Sequence, residues 1–330
     1  MWGNELLLAC QPCAYFSKHF PTSITQVVCD GSLIVQTIRK ASSVWQGESE
    51  AHRARVGVWT KDRLHRGRSG RKHPVYDFLF EYYAFRPSHL ERYSPGLGVF
   101  LESATTNDLD WADRYSYRED GAILNPATFP IHRLPMLRWA VRFLQQSMER
   151  PPLFHCYGLH EWAMVYRSEA IRHPQIPLRL APEQITAFVE SQALCCTHFD
   201  AFRFFTTAAS PRNRFQLDRF SNNEYEQPGC IHATMDLYKW SFQLMPYLSS
   251  KLLADAFELA VTAREIDMRA SPYDLRALGF PPIPIETTQG REEYTMYQQA
   301  LYEKAQPIRQ SLLVAYYQME QEVSKFISAA

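Results

Sequence analysis

The strongest constraint in this chain is a spacing of apolar residues at steps of three and four that recurs, segment after segment, from residue 132 almost to residue 330. That spacing gathers apolar side chains on one side of a helix turning every 3.6 residues and does not suit a strand's period of two. It predicts helices over 133–149, 153–168, 182–208, 228–247, 249–270, 291–305 and 307–328. Pro182, Pro228 and Pro307 stand at first-turn positions, where a missing N–H costs little. The last two segments read as a helical hairpin.

Upstream, 1–38 holds no sustained period and reads as a leader or loosely ordered segment, which leaves 39–330 as a helical domain. "GVFLES" at 98–103 suits a short strand, and 104–131, broken at Asn125-Pro126 and Phe129-Pro130, reads as a long polar loop. The expected fold is therefore mainly α: a multi-helix single domain with a polar pocket between helices and few or no strands.

Composition narrows the function classes. With 46% apolar residues over 330 positions a sizeable core is assured, and Lys plus Arg equals Asp plus Glu at 35 each, so no global field draws the chain to nucleic acid. The local exception is 52–73, "HRARVGVWTKDRLHRGRSGRKH", with eight Lys or Arg, three His and one Asp. It reads either as a contact for DNA phosphates or as a solvated helix face followed by a loop. The seven cysteines lack paired spacing and suit free thiols in a reducing compartment. Cys10-Gln-Pro-Cys13 has redox-motif spacing but no strand-then-helix context. No run reaches the roughly 18–20 apolar residues needed to span a bilayer, so the expected location is cytoplasmic, with no membrane partner.

Four clusters carry candidate chemistry. In "THFDAFRFF", 197–205, an unbroken helix would set His198 and Asp200 on opposite flanks and bring Asp200 to Arg203, which would project into the apolar stripe as a buried or pocket-lining pair. In 228–247, His232, Asp236, Lys239 and Gln243 form a narrow polar stripe flanked by Tyr238 and Trp240. The stripe is either the wet edge of the helix or a site where His232 and Asp236, four apart, act as metal ligands or an acid–base pair beside aromatics that stack a small planar substrate. In 249–270, Arg264 and Asp267 lie on the apolar side, three residues apart. His160-Glu161 lacks the second His of a zincin motif. A divalent metal such as iron, if bound, would take His232, Asp236, His160 and Glu161.

The stretches "KHPVYDFLFEYYAFRPSHLERYSPGLGVFLE", "THFDAFRFFT", "EQPGCIHATMDLYKW" and "AREIDMRASPYDLRALGF" together resemble a bacterial family commonly labelled 3-methyladenine DNA glycosylase. The resemblance implies excision of alkylated purines from DNA: a flipped base, stacked on aromatics, and a carboxylate that assists cleavage of the glycosidic bond. Asp236 or Asp200 would supply that carboxylate, with His232 and His198 as further catalytic candidates and Arg203, Tyr238, Trp240, Lys239, Arg264 and Asp267 around the substrate. A metal-dependent enzyme, with non-haem iron as one candidate, and a non-enzymatic helical scaffold stand as the alternatives. A scaffold would bury the charged pairs without leaving a cavity.

Overall fold

The computed structural model describes residues 37–329 apart from 169, 170, 172 and 221, together with two short strands that pair antiparallel, β1 (Gln26–Val27) and β2 (Leu33–Ile34). Most of the expected leader, including Cys10 and Cys13, lies outside the described residues. From Ile38 the chain forms β3 (Ile38–Lys40), the long helix α1 (Ser42–Arg68) and two short helices, α2 (Phe78–Tyr82) and α3 (Pro87–Leu90). Strands β4 (Val99–Glu102), β5 (Tyr115–Arg118) and β6 (Gly121–Leu124) complete a four-stranded sheet in the order β3-β4-β6-β5. Only the β3–β4 pair is parallel.

The fold is thus mainly α, as expected, with few strands, four of which form one small sheet among the described residues. Two of its strands, β5 and β6, lie within 104–131, which is therefore a hairpin as well as a loop. Alternating burial explains them: Tyr115, Ala122 and Leu124 turn inward onto Trp45, Val99 and Leu101 in a small core of their own.

The helical layer follows: α4 (Leu134–Glu149), α5 (Leu159–Ala163), α6 (Pro182–Ser191), α7 (Phe199–Phe202), α8 (Asn222–Tyr225), α9 (Ile231–Leu244), α10 (Ser250–Ala270) and α11 (Thr288–Ala329). Helix α10 is capped by Ser249, whose side chain accepts from the Leu252 N–H. It lies at the centre, packed on both α9 and α11. Its buried Leu253 and Phe257 are worth about 1.5–3 kcal/mol each in apolar area removed from water.

Four predicted helices come out differently. The segment 182–208 is not one helix: α6 ends at Ser191, the chain runs extended to His198, and α7 then starts afresh. Ser, Cys, Cys and Thr are weak helix formers, and Asn213 captures the backbone instead, accepting from the Cys196 N–H at 2.8 Å and donating to the Cys196 carbonyl at 3.0 Å. Helix 153–168 shrinks to α5 because Tyr157 and Gly158 both take positive φ just before it. The expected terminal hairpin is one continuous helix, α11, with Pro307 inside it. Burial of Leu301, Ala305, Leu312, Leu313 and Tyr316 along α11 outweighs the hydrogen bond that Pro307 cannot donate.

No helix of the described residues is long and apolar enough to cross a membrane. The basic segment mostly makes internal ion pairs: Arg55 with Asp255 (2.8 Å) and Glu258, Arg66 with Asp77, Arg53 with Asp110, and Lys72 with Glu81.

Candidate functional site

Three elements bring imidazoles together. Gly158, at φ 76°, starts α5 at a point where an added Cβ would sit 3.2 Å from the Ala270 side chain, so the turn both needs and admits only glycine. That turn seats His160 against α10, with Nε2 donating to Asp267 Oδ1 at 2.7 Å. Gly229, whose missing Cβ would lie 2.9 Å from the Leu153 backbone, fixes the entry to α9 and so the first-turn His232. The His160 and His232 rings meet edge to face with centroids 4.4 Å apart. One ligand atom from each of His160, His232 and Asp267 falls within 4.8 Å of the others, and all three residues are buried.

The groups behind this cluster hold it in place. Cys156 Sγ lies 3.4 Å from His160 Nδ1, the ring nitrogen that faces away from Asp267. Arg264, 1% exposed, donates to Asp267 Oδ2 at 2.8 Å and to Glu161 Oε1 at 2.7 Å, and its guanidinium lies 3.9 Å from the centre of the Phe78 ring. Burial alone would push the His160 imidazole down, but the Asp267 charge and hydrogen bond, aided by Cys156, hold it well above 6.5. Burial works against the Glu161 carboxylate too, and the Arg264 charge reverses this, pulling it down to about 2. His232 makes no side-chain hydrogen bond among the described residues; burial and then the His160 charge outweigh the pull of Asp267 and push it well below 6.5, so it stands neutral with a lone pair to give.

A second cluster adjoins the first. His198 and Asp200 sit at the start of α7, and because the helix breaks before them they are not held on opposite flanks: one ligand atom from each, with one from Asp236, falls within 4.8 Å. The His198 ring stacks on His232 with centroids 5.3 Å apart. Its Nδ1 donates to Glu226 at 2.9 Å, and its Nε2 is buried without a hydrogen bond among the described residues, 3.9 Å from Asp236 Oδ2. Burial would lower the His198 pKa, and the charges of Glu226 and Asp236 raise it. Asp236 accepts from Tyr83 Oη at 2.7 Å and from Lys239, whose ammonium also lies 3.9 Å from Asp200. A lysine thus already supplies the cation between these two carboxylates. Burial alone would raise the Asp236 carboxyl pKa, and the Lys239 charge is the largest influence that holds it low, so Lys239→Met should raise it, a change that carbon-detected NMR titration reads directly.

Several candidates fall elsewhere. Arg203 pairs with Asp200 at 3.0 Å as expected, but its side chain is 45% exposed and stacks over Phe204, so this pair is not buried; the helix break turns it outward. Tyr238 packs among Tyr83, Phe85, Phe242 and Phe257, and Trp240 against Trp139 and Phe143, so both serve the core. Glu161 is committed to Arg264, and Asp236 faces Tyr83 and Lys239; the carboxylate that joins His160 and His232 is Asp267. Cys156, Tyr83 and Glu226 were not singled out in the sequence, although Cys156 stands four residues before His160 and Glu226 opens the stretch that carries His232.

Two cavities share His232 as a wall. A crevice of about 10 Å³, between Tyr82, Phe204, Glu161, Asp200 and Arg264, has room for about one water. On the other side a pocket of about 390 Å³ opens onto His160, His232 and Cys156. No family model matches the chain, and neither a curated protein nor a solved structure does.

Proposed function

We propose that the protein is a metal-dependent enzyme whose cation is held by His160, His232 and Asp267 beside the 390 Å³ pocket. The observation that carries the reading is the convergence of two imidazoles and a carboxylate from three separate helices in a buried site next to a cavity of substrate size. This donor set suits Fe(II) and Zn(II). Cys156 on the far nitrogen of His160 and Arg264 on the far oxygen of Asp267 are the kind of outer contacts that orient metal ligands. A cation bound there would act as a Lewis acid toward a group of the substrate or toward water. The chain's own part is to aim the ligands, neutralise Glu161 through Arg264 and keep bulk solvent out.

Elemental analysis of purified protein tests this: the expected result is close to one transition-metal ion per chain, and protein that stays metal-free after incubation with Fe(II), Mn(II) or Zn(II) overturns it. The pH dependence has a definite sign. Metal and proton compete for His160, whose pKa is raised, so affinity for Zn(II) should climb by about tenfold per pH unit through and above 6.5, as displacement of one proton requires. Titration calorimetry at three pH values reads the slope. Without metal the same group acts oppositely on stability: its contribution is full below the unfolded value near 6.5 and fades as pH rises through the folded one.

Base excision, the activity implied by the resemblance, keeps one supporting observation. Asp236 is a buried carboxylate close to Tyr83 and Lys239, and Lys72 and His73 of the basic segment line a cavity that shares Phe78 and Tyr82 with the crevice beside it. On this reading protein treated with EDTA creates abasic sites in alkylated duplex DNA, and Asp236→Asn slows it at least about 100-fold. No base release would remove the reading.

A further inference from the structure

The 390 Å³ pocket has an uneven chemistry. Among the described residues none that lines it is Asp or Glu, whereas Arg214 and the imidazoles of His155, His160 and His232 all border it. Arg214 is exposed and makes no ion pair among the described residues, while His160 and His232 are buried, so the cavity runs from a cationic mouth to an imidazole floor. Its sides are apolar where Leu153, Ile231 and Phe215 stand. Two wall residues on α11 have hydrogen-bonding capacity to spare: Tyr294 is fully buried with its hydroxyl unpartnered among the described residues, and Gln298, which donates to the Gly229 carbonyl at 2.7 Å, likewise leaves its Oε1 without a partner among them. A buried polar atom left without a partner is costly, so a ligand that satisfies these two atoms gains an advantage over one that cannot.

We infer that this pocket is the substrate site and that its occupant is a small amphipathic carboxylic acid bearing a hydroxyl or similar polar group at its inner end. The carboxylate faces Arg214 at the mouth, the apolar body lies along Leu153, Ile231 and Phe215, and the inner polar group accepts from the Tyr294 hydroxyl and donates to Gln298 Oε1. The absence of any carboxylate from the lining disfavours amines, and the volume admits a ligand of one ring and a short side chain. The inference rests on the metal-enzyme reading for its role, but the binding chemistry belongs to residues that are not metal ligands.

The test uses three matched probes, 4-hydroxyphenylacetate, phenylacetate and tyramine, titrated calorimetrically into the full chain with and without EDTA. The hydroxylated acid is expected to bind at least fivefold more tightly than either of the others in both conditions. Arg214→Gln should weaken both acids about fivefold, the scale of one solvent-screened charge pair, and leave tyramine unchanged. Tyr294→Phe should abolish the preference for the hydroxylated acid over phenylacetate. Equal binding of acid and amine, an unchanged profile in Arg214→Gln, or no binding of any probe overturns the inference. Metal content measured on the same samples keeps the two readings apart: metal-free protein that still selects the acid loses the metal reading alone, and metal-loaded protein without selection loses this one alone.

Discussion

His232→Ala protein should bind Zn(II) or Fe(II) at least about 100-fold more weakly than the natural chain while keeping its helical circular dichroism. The prediction follows from what His232 does and does not touch. It is the one imidazole of the site that makes no hydrogen bond among the described residues, so removing it strands no partner; its ring meets only those of His160 and His198. Loss of one of three protein ligands exceeds the 10- to 100-fold effect usual for groups that merely orient ligands. Cys156→Ser, which alters only the contact on His160 Nδ1, should fall in that smaller range. Equal losses in the two variants, or none in His232→Ala, would refute the assignment of His232 as a ligand.

The second large effect concerns stability. Arg264→Met should cost about 3–5 kcal/mol in urea unfolding, because the guanidinium is fully enclosed and its loss leaves Glu161 buried without its cation and Asp267 with His160 alone. Methionine has nearly the volume of the arginine stem, so the cost is that of stranded charge and little of it comes from a cavity. A double change that also removes both charges, Glu161→Gln with Asp267→Asn, should recover much of the loss in metal-free protein. If Arg264→Met alone costs under 1 kcal/mol, the network is not holding these helices together.

How much of this could be read from the sequence depended on the range of the interaction concerned. Helices α4, α9 and α10 were legible because their apolar spacing reports packing that repeats every turn. The Arg264–Asp267 pair was legible for the same reason, being three residues apart on one helix. Failure began where the partner is remote. Asn213 reaches back to Cys196, and that contact breaks the helix expected over 182–208; with it went the reasoning that kept His198 and Asp200 apart and buried Arg203. Local spacing likewise paired His232 with Asp236, whereas tertiary packing gave His232 to His160, from a helix seventy-odd residues upstream. The strands β5 and β6 went unseen although β4, of the same length, was read: β5 is Tyr-Ser-Tyr-Arg with one buried residue and no apolar run, and β6 is defined by its pairing with both β4 and β5.

Helix α11 gives the site a place in time. A ribosome releases His160, His198, His232 and Asp267 well before Tyr294 and Gln298, the residues with which α11 walls the pocket. Until α11 docks, the pocket beside these residues therefore lacks one of its walls. That wall is complete only when α11 packs against α9 and α10, so a selectivity carried by Tyr294 and Gln298 would depend on this packing.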